Sequence, residues 1–269
     1  MEDAIGIKMI RHIISLLAII VVVLNSCKST ATSPEISPGN SLNDFNEIAN
    51  QLEWAYQRGS QGALDTVFTA WRQVIPPYTI DEINSLSDTV RQVYDVFRSF
   101  YSPTDINRIT GGEHENFETD FRYVVVQNSL YFAVVDTNPQ YYYYKGVKSW
   151  EGVVPDFRPQ TDETAFPIVY LSTLADSMIY QFLYQPNGTP KPDHLQRVDY
   201  LRKAMQLTHH HWIDDYHKAT MPIVSHIYLN ESLTEALVTF RVFYQFGQAY
   251  LERSNNGWVL IHSELTAIE

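Results

Sequence analysis

Cysteine is almost absent: Cys27 is the only one in 269 residues, so no intramolecular disulfide can form. Basic residues are scarce, 19 Lys and Arg against 31 Asp and Glu, giving a formal net charge of −12. A general nucleic-acid partner is excluded, because neutralising phosphates needs a basic face. No apolar run reaches the length of about 20 residues that a membrane span requires, and a multi-span membrane protein is excluded with it. Nucleophile elbows, Gly-rich phosphate loops and the His-Glu-x-x-His pattern of zinc proteases are missing too. Their absence lowers the odds of hydrolase, kinase or dehydrogenase chemistry, and no catalytic residue is assigned. What remains is globular composition, 45% hydrophobic and 13% aromatic with 19% charged. That excludes disordered and collagen-like chains.

The longest apolar run, Ile13 to Leu24 (IISLLAIIVVVL), is too short to span a bilayer comfortably but fits the apolar core of a secretory signal peptide. Lys8 and Arg11 precede it, whereas Glu2 and Asp3 suit such a leader poorly; a start at Met9 gives a conventional one. Leu24-Asn25-Ser26-Cys27 follows at once. It resembles the lipobox of bacterial lipoproteins, with a leucine three positions before the cysteine and a small residue directly before it. The resemblance implies that residues 1–26 are removed and that Cys27 is acylated as the first residue of the mature chain. It implies a lipid-anchored protein of the cell envelope. Lys28 and Ser29, with no aspartate after the cysteine, favour the outer membrane over the inner. From Lys28 to Asn40 the chain is rich in Ser, Thr, Pro and Gly and cannot bury enough apolar surface to fold. Residues 27–40 therefore read as a flexible tether spanning a few tens of ångströms at full stretch.

Residues 41–105 read as helical. Phe45, Ile48, Leu52 and Ala55 form one apolar stripe that Gly59 ends; Leu64, Val67, Phe68 and Trp71 form a second that stops at Pro76-Pro77. A third starts at the capping-box pattern Thr79-Ile80-Asp81-Glu82 and runs as one segment through Val90, Val93 and Phe97 to Pro103. Residues 106–269 read as an α+β unit packed with those helices. Phe121–Val126 and Leu130–Val135, separated by Gln127-Asn128-Ser129, suggest a hairpin. Tyr141–Trp150, Gly152–Phe157 and Pro167–Leu171 are further strand candidates, and helices are expected over 172–184 and 194–207. Four closing strands are expected: Ile223–Leu229, Ala236–Phe246, Gln248–Arg253 and Trp258–Ala267, with Asn256-Gly257 marking a hairpin. This tail, ending in Trp258-Val259-Leu260, resembles the closing meander of NTF2-like proteins. The resemblance implies a curved, mostly antiparallel sheet with two helices packed on it, an NTF2-like or cystatin-like roll. It implies no function, because that family hosts enzymes, binding proteins and assembly modules alike.

Three clusters carry candidate chemistry. His209, His210, His211, Asp214 and His217 offer imidazole and carboxylate ligands for a divalent metal such as zinc. A helix would bring His210, Asp214 and His217 to one face, and a strand would pair His209 with His211. The knot Gly111-Gly112-Glu113-His114-Glu115, followed by Glu118 and Asp120, could hold a cation or serve acid–base work, but also reads as a solvated linker. The aromatic run from Tyr141 to Tyr144, with Trp150 close behind, is a candidate ligand surface. Tyr141, Tyr143 and Trp150 would stack a sugar or another flat, partly apolar ligand. The leading expectation is a non-enzymatic, lipid-anchored protein without cofactor that binds a glycan or an envelope protein partner. The rivals are a metal-dependent enzyme using the histidines and a structural envelope-assembly lipoprotein.

Overall fold

The computed structural model describes residues 42–112, 120–136, 138–139, 150–160, 166–210 and 215–269, with only the backbone at Trp150. Residues 39–269 form one compact unit of the α+β class. Cys27 and the 27–40 tether, His114 and its carboxylates at 113, 115 and 118, Tyr141, Tyr143, His211 and Asp214 lie outside the described residues. No helix among the described residues is long and apolar enough to cross a membrane.

Helices α1 (Leu42–Gln57) and α2 (Gln61–Val74) bury the stripes read from the sequence, with Leu52, Leu64, Phe68 and Trp71 wholly inside. Ser60 caps α2 by accepting from the amide of Ala63 at 3.2 Å. The Thr79 capping box forms as expected: the Thr79 amide donates to Glu82 Oε2 at 2.7 Å, and the Glu82 amide donates to Thr79 Oγ1 at 3.2 Å. The helix it starts, α3 (Ile80–Asn84), stops after five residues. The expected single helix is broken because Ser85 turns its hydroxyl back to the Glu82 carbonyl and Ser87 caps a new helix, α4 (Asp88–Phe100). A short α5 (Asn107–Thr110) follows.

The chain then changes sheets where a hairpin was expected. Strand β1 (Val124–Gln127) does not pair with β2 (Leu130–Val135); it pairs in parallel with β4 (Ile168–Leu171). Val124, Val125 and Val126 are all buried, so β1 has no solvent face to match a hairpin partner. The side chain of Gln127 bridges to β7 (Ile223–Asn230), donating to the Val224 carbonyl at 2.6 Å and accepting from its amide at 2.9 Å.

The main sheet has six strands in the order β10-β9-β8-β7-β2-β3. Its strands include β3 (Trp150–Val154), β8 (Glu235–Val242), β9 (Gln245–Ser254) and β10 (Gly257–Ile268). All neighbours are antiparallel except β2 and β7. The four closing strands therefore form the expected meander, with Asn255-Asn256 as the tight turn between β9 and β10. The expected strand Ala236–Phe246 is instead cut at Phe243-Tyr244, a two-residue turn in which Phe243 takes φ +53°. No glycine or asparagine signals that turn.

Helices α4 and α5 cover one face of this sheet. Phe100 meets Phe240 with ring centroids 5.0 Å apart, and Trp258 Nε1 donates to Gln92 Oε1 at 2.9 Å. Gly247 lets the Phe240 ring lie on the strand, since a Cβ there would come within 2.3 Å of it. Helix α6 (Thr173–Leu183), capped by Ser172, and α7 (His194–Arg202) close the helical layer. The Arg197 guanidinium joins α7 to α1 through both oxygens of Glu53, at 2.6 and 2.8 Å, and also holds Asp193 at 2.8 Å. It lies 4.5 Å from the Tyr56 ring centroid.

Candidate functional site

The described ends of the histidine run are two short strands of a small ribbon, β5 (Thr208–His209) and β6 (Tyr216–His217), and the His210 amide donates to the Asp215 carbonyl at 3.0 Å. Because side chains alternate along each arm, the histidines separate. The His209 ring lies edge-on to Tyr216, centroids 5.3 Å apart. The His210 ring faces His217 at 3.5 Å with 35° between planes. His210 and His217 thus meet across the ribbon, while His211 and Asp214 lie outside the described residues. Among the described residues no group of three His, Cys, Asp or Glu is placed to hold a metal ion.

This imidazole pair is electrostatically unusual. Burial pushes His217 down to about 4, with the nearby His210 and Arg241 adding to the effect; His210 is lowered too, again mainly by burial. Both rings are therefore neutral at pH 7. Nε2 of His217 is buried and has no hydrogen-bond partner among the described residues. The surrounding charges are already committed. The Lys218 ammonium is buried 2.9 Å from Asp176 Oδ1 and 4.0 Å from Asp215 Oδ1. Tyr184 donates to Asp215 at 3.4 Å, and Arg241 is ion-paired with Glu269.

A second constellation lies on the sheet face away from α4 and α5. Strand register puts Val153, Tyr131, His226, Thr239, Gln248 and Glu264 in one row across all six strands. The next row runs Glu151, Ala133, Tyr228, Leu237, Tyr250 and His262. Tyr131, 57% exposed, lies 5.5 Å from the His226 ring, which stacks on Tyr228 at 5.6 Å and 10°. Beside this stack is a groove of about 510 Å³ lined by His226, Tyr228, Thr239, Phe246, Gln248 and Glu264 among others. That volume is in the range of small-ligand sites. No Lys or Arg lines it, and Glu264 is its one acidic side chain among the described residues. Burial raises the Tyr228 phenol, aided by Glu151, and pushes Tyr250 up to about 12. These hydroxyls stay protonated at neutral pH, fit to donate as well as accept. The lining offers aromatic faces, hydroxyls, an amide and the Glu264 carboxylate; the Arg241 guanidinium stands over the Phe246 ring, 5.2 Å from its centroid, and is ion-paired with Glu269.

A wider hollow of about 660 Å³ runs along β10 beside Ser99 and Arg108. There the Arg108 guanidinium donates to the carbonyls of Ser99 and Phe100, at 2.8 and 2.9 Å, closing the C-terminus of α4. Its chemistry is structural.

Of the predicted ligand surface, the described part is the backbone of Trp150 on β3, in register with Val134 of β2. The sequence reading missed Tyr131, Tyr228, Thr239, Gln248 and Glu264. Period-two alternation in β7 and β8 was the available signal, since Thr239 and Arg241 alternate with buried Val238, Phe240 and Val242. What it lacked was the pairing that aligns six strands.

Fold and site together define an α+β protein whose six-stranded sheet has one face covered by helices and, among the described residues, a groove on the other. Comparison with known protein families, with curated proteins and with solved structures finds no match.

Proposed function

We propose that this chain is a lipid-anchored cell-envelope protein, of the outer membrane in preference to the inner, that binds a neutral glycan without catalysing its conversion. The binding surface is the open face of the six-stranded sheet. One observation carries the reading: a groove of about 510 Å³ in which the His226–Tyr228 stack stands beside Thr239 and Gln248, with no cationic lining among the described residues. Sugar rings present apolar faces flanked by hydroxyls, which matches aromatic faces flanked by hydroxyl and amide groups. The lipobox cysteine, Cys27, supplies the anchor, and the Ser/Thr/Pro-rich 28–40 segment supplies the reach.

Two measurements test this reading. Cys27→Ala should abolish incorporation of a labelled fatty acid; unchanged labelling ends the anchor reading. Detergent-purified full chain should gain thermal stability in a panel of neutral and amino oligosaccharides and not in acidic ones. At 100 times the dissociation constant a ligand adds about 2.7 kcal/mol, a midpoint shift of several degrees. Co-purification of a fixed envelope protein with no oligosaccharide response would favour assembly instead.

A further inference from the structure

We propose that the ligand of the groove is a straight, equatorially linked neutral oligosaccharide that lies across strands β7 to β10, with two hydroxyls of its last unit on the Glu264 carboxylate. The inference rests on the glycan reading above and adds the ligand's shape, its direction and the residue that selects it.

The shape of the groove carries the inference. Register sets His226, Thr239, Gln248 and Glu264 directly opposite one another on four successive strands, and all four line the groove. Neighbouring strands stand about 4.8 Å apart, so the row spans about 14 Å, roughly the length of three pyranose units in a straight chain. Along the strands the way is closed on one side, because Leu237 and Tyr250 fill the next row and are buried. Phe246, with the Arg241 guanidinium 5.2 Å from its ring centroid, walls the other side. A chain that bends at each linkage would leave the row.

The polar groups along the row are the second observation. Neither the Thr239 hydroxyl nor the Gln248 amide has a hydrogen-bond partner within the protein among the described residues, although both side chains are half-buried. Each can donate and accept, as a sugar hydroxyl does. Glu264 differs, because an ionised carboxylate only accepts and its two oxygens lie side by side. It therefore fits two adjacent hydroxyls of one sugar ring, both donating, in hydrogen bonds strengthened by its charge. His262 Nε2 stands 3.6 Å from Glu264 Oε2, beyond hydrogen-bond reach, and the carboxylate side chain is 59% exposed.

The test is calorimetry on the detergent-purified full chain with neutral β-1,4-linked oligomers of glucose, mannose and N-acetylglucosamine, from one unit to five. For at least one of these sugars, affinity should rise at least tenfold from one unit to three and then level off. Bent α-1,4-linked glucose oligomers of equal length should bind at least tenfold more weakly. Glu264→Gln keeps the shape of the side chain and loses its charge. It should flatten the series beyond two units at an unchanged thermal midpoint, since shorter chains still reach His226 and Thr239; a merely structural role would weaken every length alike. Equal binding of all lengths, bent chains binding as straight ones do, or a full series in Glu264→Gln would each overturn this inference and leave the glycan reading standing. Binding of no oligosaccharide at all overturns both.

Discussion

Thr239 and Phe240 are neighbours in β8, yet they stand on opposite faces of the same sheet and follow opposite rules. Phe240 points into the helical layer, 1% exposed, against Phe100 and over Gly247. Thr239 points the other way, between His226 and Gln248, into a groove open to solvent. The covered face is apolar and closely filled, as a face that stabilises the fold must be. The opposite face mixes rings, hydroxyls, an amide and a carboxylate around its groove, with Ala133, Leu237 and Tyr250 buried in the next row. Phe240 and Gly247 also border the groove, so the contrast lies in the direction of the side chains along β8 and β9.

The sharpest way to break the comparison is to damage the covered face. Phe240→Ala should cost about 3–5 kcal/mol, the range for removing a buried phenyl ring, read as a lower urea midpoint or as failure to fold. A smaller loss, about 1–3 kcal/mol, is expected for Gly247→Ala, because the added methyl must displace the Phe240 ring and meets the Glu264 carbonyl oxygen at 2.9 Å. A normal urea midpoint for both would show that the two faces are not divided as described.

The fastening of α1 to α7 should appear as a pH dependence. Hydrogen bonds from the Arg197 guanidinium hold the Glu53 and Asp193 carboxyls below their ordinary values. Their folded forms therefore release protons more readily than the unfolded chain, so the contribution is complete above about pH 4.5. It fades as the pH falls through the lowered values. Thermal midpoints between pH 6 and pH 3 should drop less steeply in Arg197→Met than in the parent.

The smallest stability effects belong to the open face. Tyr131→Ala, Thr239→Val and Gln248→Ala should each stay within about 0.5 kcal/mol of the parent. A cost comparable to that of Phe240→Ala would make this face a second packing surface.

Elements set by local chemistry were legible. The Thr79 capping box, the stripes of α1 and α2 and the closing meander all follow from neighbours in sequence. The errors lie where distant segments decide. Val124–Val126 looked like half of a hairpin because its true partner, Ile168–Leu171, lies some forty residues onward. The turn at Phe243-Tyr244 escaped because a bulky residue takes a left-handed conformation there. The histidines stood out by composition, but only the ribbon's alternation separates His209 from His210. The groove was invisible because its residues, from Ser225 to Ala267, are ordinary until four strands align them.

The most direct test of the account is equilibrium binding of a neutral oligosaccharide to the parent chain, to Tyr131→Ala and to Gln248→Ala, with thermal midpoints measured alongside. The account predicts binding by the parent and affinities at least tenfold weaker in both variants, a loss of about 1.4 kcal/mol or more each, at unchanged midpoints. Absence of binding to every neutral oligosaccharide tried, or full affinity in both variants, would contradict it.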